Sequence, residues 1–136
     1  MPLPNTPKLT ADAVIFDRAG RLLLVRRRNP PFSGWLSLPG GFVDIGETVE
    51  DGCRRELAEE TGVKAGRLRL VGVYSDPARD PRGHTVSVAF AGRALSRRAV
   101  AGDDAAAVEW AADWRRAELA FDHRRIVRDA AKLIAV

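Results

Sequence analysis

The segment from Thr48 to Gly62 constrains this chain more than any other, because both ends of a helix are marked in it. Thr48 is a good N-cap, and Asp51 stands three residues later, where a side chain reaches back to the cap. The acidic residues of the first turn complement the helix dipole. Gly62 follows as a residue that commonly ends a helix. We therefore predict an α-helix over residues 49–61.

Three glutamates share one face of this predicted helix. Glu56, Glu59 and Glu60 are spaced i, i+3 and i+4, and because successive residues turn by about 100° they fall within an arc of about 100°. Like charges on one face repel each other. Such a face is retained more readily where a cation binds, and hard divalent cations such as Mg²⁺ prefer carboxylate oxygens. Taken alone, three such glutamates are more often a solvated acidic face.

The neighbours of the acidic face favour a ligand site over a solvated surface. Gly40 and Gly41 lie just upstream, where glycines can bring bare backbone close to a ligand. Arg55 stands four residues before Glu59, a spacing at which the two side chains meet on a helix. The arginine can therefore fix the geometry of the carboxylates, Glu47 included.

Strands and helices alternate along the rest of the chain, which favours a mixed sheet with helices packed on it, in the α/β class. The predicted elements are a hairpin with strands over 9–16 and 21–27, strands over 68–74 and 85–94, a short strand over 108–110, and a last helix over 123–134. Residues 1–136 show no internal repeat and no break wide enough for a linker, so we expect one domain.

Composition narrows the class of protein. The 136 residues are 46% hydrophobic and 29% charged, which is ordinary for a globular domain. The single cysteine, Cys53, rules out an internal disulfide and fits a reducing cytoplasm, and we expect it to be buried as a small apolar residue. No apolar run approaches the roughly 18 residues of a membrane span, and the N-terminus lacks the pattern of a signal peptide. We expect a cytoplasmic location and no membrane partner.

The basic residues point to an anionic ligand. Formal net charge is +4, and all of the 22 basic residues except Lys8, Lys64 and Lys132 are arginine. Arginine suits bidentate capture of phosphate or carboxylate. Because no aromatic-rich RNA motif or zinc finger accompanies these arginines, we do not expect a nucleic-acid partner.

The segment Gly41–Val63 resembles the Nudix box, whose pattern is Gly, five residues, Glu, seven residues, then Arg-Glu-aliphatic-any-Glu-Glu-any-Gly-aliphatic. Every defined position is met, by Gly41, Glu47, Arg55, Glu56, Leu57, Glu59, Glu60, Gly62 and Val63. The resemblance implies an α/β/α sandwich with a mixed β-sheet. It also implies Mg²⁺- or Mn²⁺-dependent hydrolysis of the pyrophosphate bond of a nucleoside diphosphate derivative.

The resemblance also implies roles for individual residues. Glu56 and Glu60 would be the main metal ligands, with Glu59 sharing the ion and the Gly40 carbonyl adding another oxygen. Arg55 and Glu47 would orient these carboxylates. The general base is open between Glu59 and an acid of the later loop: Asp103, Asp104 or Glu109.

The flanks of the box resemble ADP-ribose pyrophosphatases, through the segments 30–35, 38–43, 75–84 and 119–123, with Pro77 at the distance past the box that is associated with ADP-ribose. The reaction would then give AMP and ribose 5-phosphate. The candidate substrate-binding residues are Arg26, Arg27, Phe32, Trp35, Arg79 and Arg82. Of these, Phe32 or Trp35 would stack on adenine. We expect Trp110 and Trp114 in the core, and structural roles for His84 and His123.

Two other functions compete with this hypothesis. One is a house-cleaning hydrolase of oxidised or non-standard nucleoside triphosphates, which needs the same metal site, and RNA-cap hydrolysis is a further variant of the enzyme hypothesis. The other is a non-catalytic sensor of ADP-ribose or a related nucleotide. An intact box favours an enzyme, because Nudix-like regulators tend to carry broken boxes. A homodimer is also compatible with the family.

Overall fold

The computed structural model describes residues 2–96, 98–102 and 105–135. Its elements in chain order are β1 (Lys8–Phe16), β2 (Leu22–Arg27), β3 (Leu36–Ser37), β4 (Gly40–Phe42), α1 (Val49–Thr61), β5 (Arg69–Tyr74), β6 (Thr85–Arg93), β7 (Ala105–Ala111) and α2 (His123–Ile134). Neither helix of the described residues is long and apolar enough to cross a bilayer.

One mixed sheet organises the molecule, and β1 lies at its centre. The strand order is β3-β2-β1-β6-β5, with β4 added to β1 and β7 added to β2. β6 runs parallel to β1 along its whole length. β2 and β4 are antiparallel to β1 and share its other edge, β2 pairing at Phe16 and β4 at 10–12. Because β2 and β4 meet β1 at opposite ends, a gap opens between them.

The two faces of the sheet each bury one helix. Side chains of a strand alternate between faces, so neighbouring residues of β1 enter different cores. Ile15 belongs to a buried cluster that contains Leu57 of α1. Phe16 belongs to a second cluster that contains Ile126 of α2. The α/β/α sandwich expected from the sequence is confirmed.

Both helices cover the residues predicted for them. The Thr48 hydroxyl accepts a hydrogen bond from the Asp51 N–H at 3.1 Å. Gly62 follows the last turn of α1 with a φ of 70°, in the left-handed region that glycine adopts without strain. α2 covers His123–Ile134, as predicted, and buries Ile126 and Ala130.

Three strands differ from the sequence expectation. β3 and β4 are not predicted, because two or three residues carry too little pattern to indicate a strand. β7 begins at Ala105 rather than at Val108, since its alanines pair with β2 although alanine has little strand preference. Cys53 and Trp114 are buried as expected, whereas Trp110 is partly buried against the α1 side of the core.

Candidate active site

A cleft of about 510 Å³ opens between the start of β1, the end of β2 and β4. This volume lies in the usual range for small-molecule sites. Of the residues proposed from the sequence, the lining includes Arg26, Arg27, Gly40, Glu56, Glu60, Arg79 and Arg82. It also includes residues that were not proposed as binding residues, among them Asp12, Arg28, Asp80, Phe121 and His123.

Two successive glycines of β4 let two carboxylates reach the same strand. A Cβ on Gly41 would lie 2.5 Å from the carboxyl carbon of Glu56, and a Cβ on Gly40 would collide with the carboxylate of Asp12. Because successive strand positions face opposite sides, Glu56 approaches from the α1 face and Asp12 from the α2 face. Only bare backbone fits between the two acids.

The register of β4 directs the carbonyl of Gly40 away from β1. Pro39 accepts a hydrogen bond from β1 at 2.9 Å, and Val43 donates one to β1 at 3.0 Å. Gly40 and Phe42 therefore lie at positions that do not bond to β1, and their carbonyls project from the opposite edge. The Phe42 carbonyl accepts from Arg55 of α1 at 2.9 Å, so the Gly40 carbonyl points to the same side.

Arg55 is the centre of the acidic cluster. Its guanidinium lies 2.7 Å from a carboxylate oxygen of Glu47, 2.9 Å from one of Glu56 and 3.1 Å from one of Glu59. The hydrogen bonds from Arg55 hold the pKa of Glu47 at about 2, and the same contact with Glu47 raises the pKa of Arg55. One cation thus offsets the repulsion that three carboxylates would otherwise cause.

The three glutamates of α1 do not share one environment. Glu56 and Glu60 line the cleft, and burial raises the pKa of Glu56 although Arg55 opposes the shift. The side chain of Glu59 is 60% exposed and is held by Arg55, outside the residues that line the cleft. The helix face that the sequence presents as one acidic arc is therefore divided by Arg55.

The oxygens at the cleft fit a divalent cation that keeps other ligands. In the part of the chain that the structure describes, no three histidine, cysteine, aspartate or glutamate side chains are placed to hold an ion by themselves. The carboxylates of Glu56 and Glu60 and the Gly40 carbonyl are hard oxygen donors. Such a partial set suits a hard divalent cation that keeps waters and substrate phosphates as further ligands.

Two of the proposed substrate arginines are already held by carboxylates. Arg79 donates to both oxygens of Asp122, at 2.8 and 2.7 Å, and its side chain is only 5% exposed. Burial disfavours the charged form of Arg79, but the hydrogen bonds and charge of Asp122 outweigh that effect, so the pKa of Arg79 is raised. Arg82 donates to both oxygens of Asp80, at 3.1 and 2.8 Å. Arg79 therefore joins the loop after β5 to the start of α2.

The end of β2 supplies further cationic side chains to the cleft. The Nε–H of Arg27 donates to the Pro31 carbonyl at 2.7 Å, and burial lowers the pKa of this arginine. Arg26 donates to the Gly34 carbonyl at 2.6 Å. Arg28 also lines the cleft and bonds to the Ala105 carbonyl at 3.1 Å. Backbone carbonyls thus fix the three arginines at one wall of the cleft.

Two phenylalanines, Phe42 and Phe121, are among the residues that line the cleft. Phe32 packs on Trp35 with ring centres 5.4 Å apart and on Phe121 at 4.9 Å, and neither Phe32 nor Trp35 is among the lining residues. The guanidinium of Arg27 lies 4.9 Å from the centre of the Phe121 ring. The sequence signal for Phe121 is its place in the segment 119–123, which resembles ADP-ribose pyrophosphatases.

The candidate bases of the later loop are placed only in part. Glu109 lies 3.7 Å from Arg26 with its side chain 43% exposed, and it does not line the cleft. Asp103 and Asp104 lie outside the described residues.

Asp12 and His123 form a buried polar pair at the floor of the cleft, which sequence analysis missed as a binding feature. Asp12 is 7% exposed and His123 is 5% exposed. Burial lowers the pKa of His123. The sequence signal for Asp12 is that it is the lone charged residue in the apolar strand TADAVIF. A carboxylate in such a strand is expected to be buried, and buried carboxylates are usually paired or functional.

Comparison with known proteins gives consistent results. A family model described as the NUDIX domain matches residues 6–135. Over 123 residues the chain is 44% identical to an ADP-ribose pyrophosphatase of Methanocaldococcus jannaschii, a match that covers 90% of this chain and 72% of that protein.

Solved structures with the same fold include one with a bound nucleotide. The NUDIX domain of Shewanella oneidensis NrtR in complex with ADP ribose aligns with a TM-score of 0.87 and 32% identity, covering 96% of this chain and 90% of that one. A MutT/nudix family protein from Enterococcus faecalis aligns with a TM-score of 0.88 and 30% identity, covering 99% of this chain and 64% of that one.

Proposed function

The chain belongs to the NUDIX family, and from that membership we propose that it hydrolyses the pyrophosphate bond of ADP-ribose to give AMP and ribose 5-phosphate. The similarity to the archaeal ADP-ribose pyrophosphatase supports this choice of substrate, as does the likeness to a domain that holds ADP ribose.

The observation that carries the proposal is the division of charge inside one cleft. Glu56 and Glu60 contribute carboxylates from α1, and Arg26, Arg27 and Arg28 contribute cations from the end of β2. A diphosphate is anionic, so the arginine wall attracts it. The carboxylates repel it unless a cation lies between them, which is the arrangement expected where a metal ion and a phosphate bind side by side.

Nudix hydrolases generally use a divalent metal ion, and for this chain we propose Mg²⁺ or Mn²⁺ held by Glu56, Glu60 and the Gly40 carbonyl. A bound ion of this kind neutralises phosphate oxygens and acidifies a water. Arg55 keeps the Glu56 carboxylate in place through its 2.9 Å contact. Glu47 in turn fixes Arg55, so the pair Glu47–Arg55 positions the proposed metal ligand without entering the cleft lining.

The proposed substrate contacts follow from the cleft lining. Arg27 and Arg28 would bind the diphosphate, since guanidinium groups match phosphate oxygens. The rings of Phe42 and Phe121 line the cleft and could each stack on the base. Arg79 acts indirectly, because its guanidinium is taken up by Asp122; it holds the loop after β5 in place.

A hydrolysis panel with purified protein tests the proposal. The panel contains ADP-ribose, NADH, dinucleoside polyphosphates, sugar nucleotides, capped RNA, and canonical and oxidised nucleoside triphosphates, each with Mg²⁺ and with Mn²⁺. We expect ADP-ribose to be turned over well above all others, with AMP and ribose 5-phosphate as products.

Other outcomes of the panel point to different functions. Preference for a triphosphate would contradict the substrate assignment and leave the metal site intact. Binding of ADP-ribose without hydrolysis under either metal would contradict an enzyme and favour a sensor.

A further inference from the structure

Asp12 is a carboxylate fixed at the floor of the cleft, on the face of the sheet away from the acids of α1. The Ser87 hydroxyl donates to its Oδ2, and the bare backbone of Gly40 lies against its Oδ1. Asp12 also lines the cleft although it is only 7% exposed. A carboxylate held in this way presents a fixed acceptor to whatever enters.

His123 presents a fixed donor beside that acceptor. Its Nδ1 accepts the Leu38 N–H at 3.0 Å, so in the neutral ring the proton is on Nε2. Burial lowers the pKa of His123, which favours the neutral ring. Nε2 lies 3.9 Å from Oδ2 of Asp12, too far for a hydrogen bond.

The gap between His123 and Asp12 opens to the cleft. Among the described residues no buried side-chain nitrogen or oxygen lacks a hydrogen-bond partner, and His123 lines the cleft. The side chain of His123 is 7% exposed and that of Asp12 is 9% exposed, so both are accessible from the cleft that they line. One oxygen atom about 2.8 Å from each group would bond to both across this gap.

The pair selects the chemistry of its ligand. A hydroxyl both accepts from the imidazole Nε2–H and donates to the carboxylate. A phosphate oxygen would be repelled by Asp12, an ammonium group would leave Nε2–H without an acceptor, and a carbonyl would leave the carboxylate without a donor. A neutral hydroxyl group, of a sugar or of a water molecule, satisfies both.

We propose that Asp12 and His123 bind a ribose hydroxyl of the substrate. The inference rests on the proposed function, because it takes ADP-ribose as the ligand whose hydroxyls are available. Its two riboses carry the same chemistry, and the experiment distinguishes between them. The site would therefore favour a ribose over the corresponding deoxyribose. It lies on the face of the sheet opposite the proposed metal ligands of α1.

Equilibrium binding in EDTA tests the inference without relying on hydrolysis. The ligands are ADP-ribose and four analogues that each lack one hydroxyl: the 2′- or 3′-hydroxyl of the adenosine, or the 2″- or 3″-hydroxyl of the terminal ribose. We expect the wild-type protein to bind one analogue about 10- to 100-fold more weakly than ADP-ribose, the scale of a hydrogen bond to a charged group.

Two variants connect that discrimination to the pair. His123→Asn keeps an acceptor for the Leu38 N–H and loses the Nε2 donor, and Asp12→Asn keeps the shape and loses the charge. We expect both to bind ADP-ribose and the discriminated analogue within about twofold of each other. His84→Asn, at an exposed histidine outside the cleft lining, is the matched control and should discriminate like the wild type.

A measurement on the wild-type protein guards against misfolded variants. The ¹⁵N resonance of His123 Nε2 should shift when ADP-ribose is added, and shift less with the discriminated analogue. The inference is wrong if the wild type binds all analogues equally or binds none of the ligands. It is also wrong if both variants weaken all ligands by one factor. Binding with the expected discrimination but without hydrolysis would instead contradict the proposed function alone.

Discussion

Glu56 and Glu60 differ from the other acids of α1 in what they face. Both line the cleft, so replacing either with glutamine removes charge from the proposed metal site and leaves its shape. We expect Glu56→Gln and Glu60→Gln each to lower kcat by about 100-fold or more, the scale for losing one preorganised electrostatic group. Steady-state kinetics and melting temperature measured together separate lost turnover from lost folding.

Glu50→Gln is the matched control for these two changes. Glu50 lies in the first turn of α1 and contacts Arg54 at 3.3 Å, away from the cleft lining. Its rate should stay near that of the wild type. A near-normal kcat for Glu56→Gln or Glu60→Gln would show that the replaced glutamate is not a metal ligand.

His123 also makes stability depend on pH. Burial holds its pKa below the ordinary value of 6.5, so between that lowered pKa and 6.5 the unfolded chain binds a proton that the native chain does not. Stability from this residue is present above pH 6.5 and falls as the pH drops below it. The loss is at most about 1.4 kcal/mol for each pH unit.

The variant His123→Asn removes this dependence, because asparagine does not titrate. The difference in unfolding free energy between wild type and variant should therefore shrink from pH 7.5 to pH 5.5. Urea unfolding at three pH values measures it. A difference that stays constant across this range would show that His123 is protonated alike in the folded and unfolded chains.

How far the site was predictable depends on where each residue's partners lie in the chain. The contact of Arg55 with Glu59 lies within about one helical turn, so spacing alone predicts it. Asp12 acquires its setting from Ser87 and His123, which are remote in sequence. No local sequence pattern predicts the contact of Asp12 with Ser87 and His123, and the sequence predicts only a structural role for His123.

At the level of elements, the segment 99–102 closes the last turn of α1. The Gly102 N–H donates to the Glu60 carbonyl and the Val100 N–H to the Thr61 carbonyl, both at 2.8 Å. A Cβ on Gly102 would collide with the backbone carbonyl of Glu59. Substituting this glycine therefore pushes the segment away from the turn that carries Glu60.

We expect Gly102→Ala to destabilise the fold by about 1–3 kcal/mol, the usual cost of overpacking, and to reduce turnover through the displaced turn. Thermal unfolding and kinetics measure the two effects. Gly66→Ala is the matched control, because a Cβ there has its nearest neighbours at 3.6 and 3.8 Å, an ordinary contact. Equal melting temperatures for the two variants would contradict the close packing at Gly102.

The elements were predictable to the extent that their signals are local. α1 begins and ends as predicted because its caps, Thr48 and Gly62, adjoin it in sequence, and α2 because its apolar periodicity lies within the helix. β4 exists because it pairs with β1, some 30 residues earlier in the chain, and its short sequence does not carry that information. The sequence predicts the hairpin of β1 and β2. It does not predict the pairing of β4 with β1, which forms one side of the cleft.

At the scale of the whole molecule, the cleft joins both layers of the sandwich. Glu56 and Glu60 reach it from α1, and His123 reaches it from α2. A ligand that spans the cleft binds the folded chain and not the unfolded one, so it stabilises by mass action. At a concentration 100-fold above Kd the gain is about 2.7 kcal/mol, or roughly 10 °C for a chain of this length.

Thermal unfolding with one ligand at a time tests the contribution of each helix layer to ligand binding. Mg²⁺ alone should raise the melting temperature of the wild type and fail to do so for Glu56→Gln. ADP-ribose in EDTA should stabilise Glu56→Gln at least as much as the wild type, because the proposed ribose site lies on the other face and one repelling carboxylate is gone, and it should stabilise His123→Asn less. The opposite pattern, with the ADP-ribose shift lost in Glu56→Gln and kept in His123→Asn, would place the whole ligand on the α1 side and contradict a cleft that uses both layers.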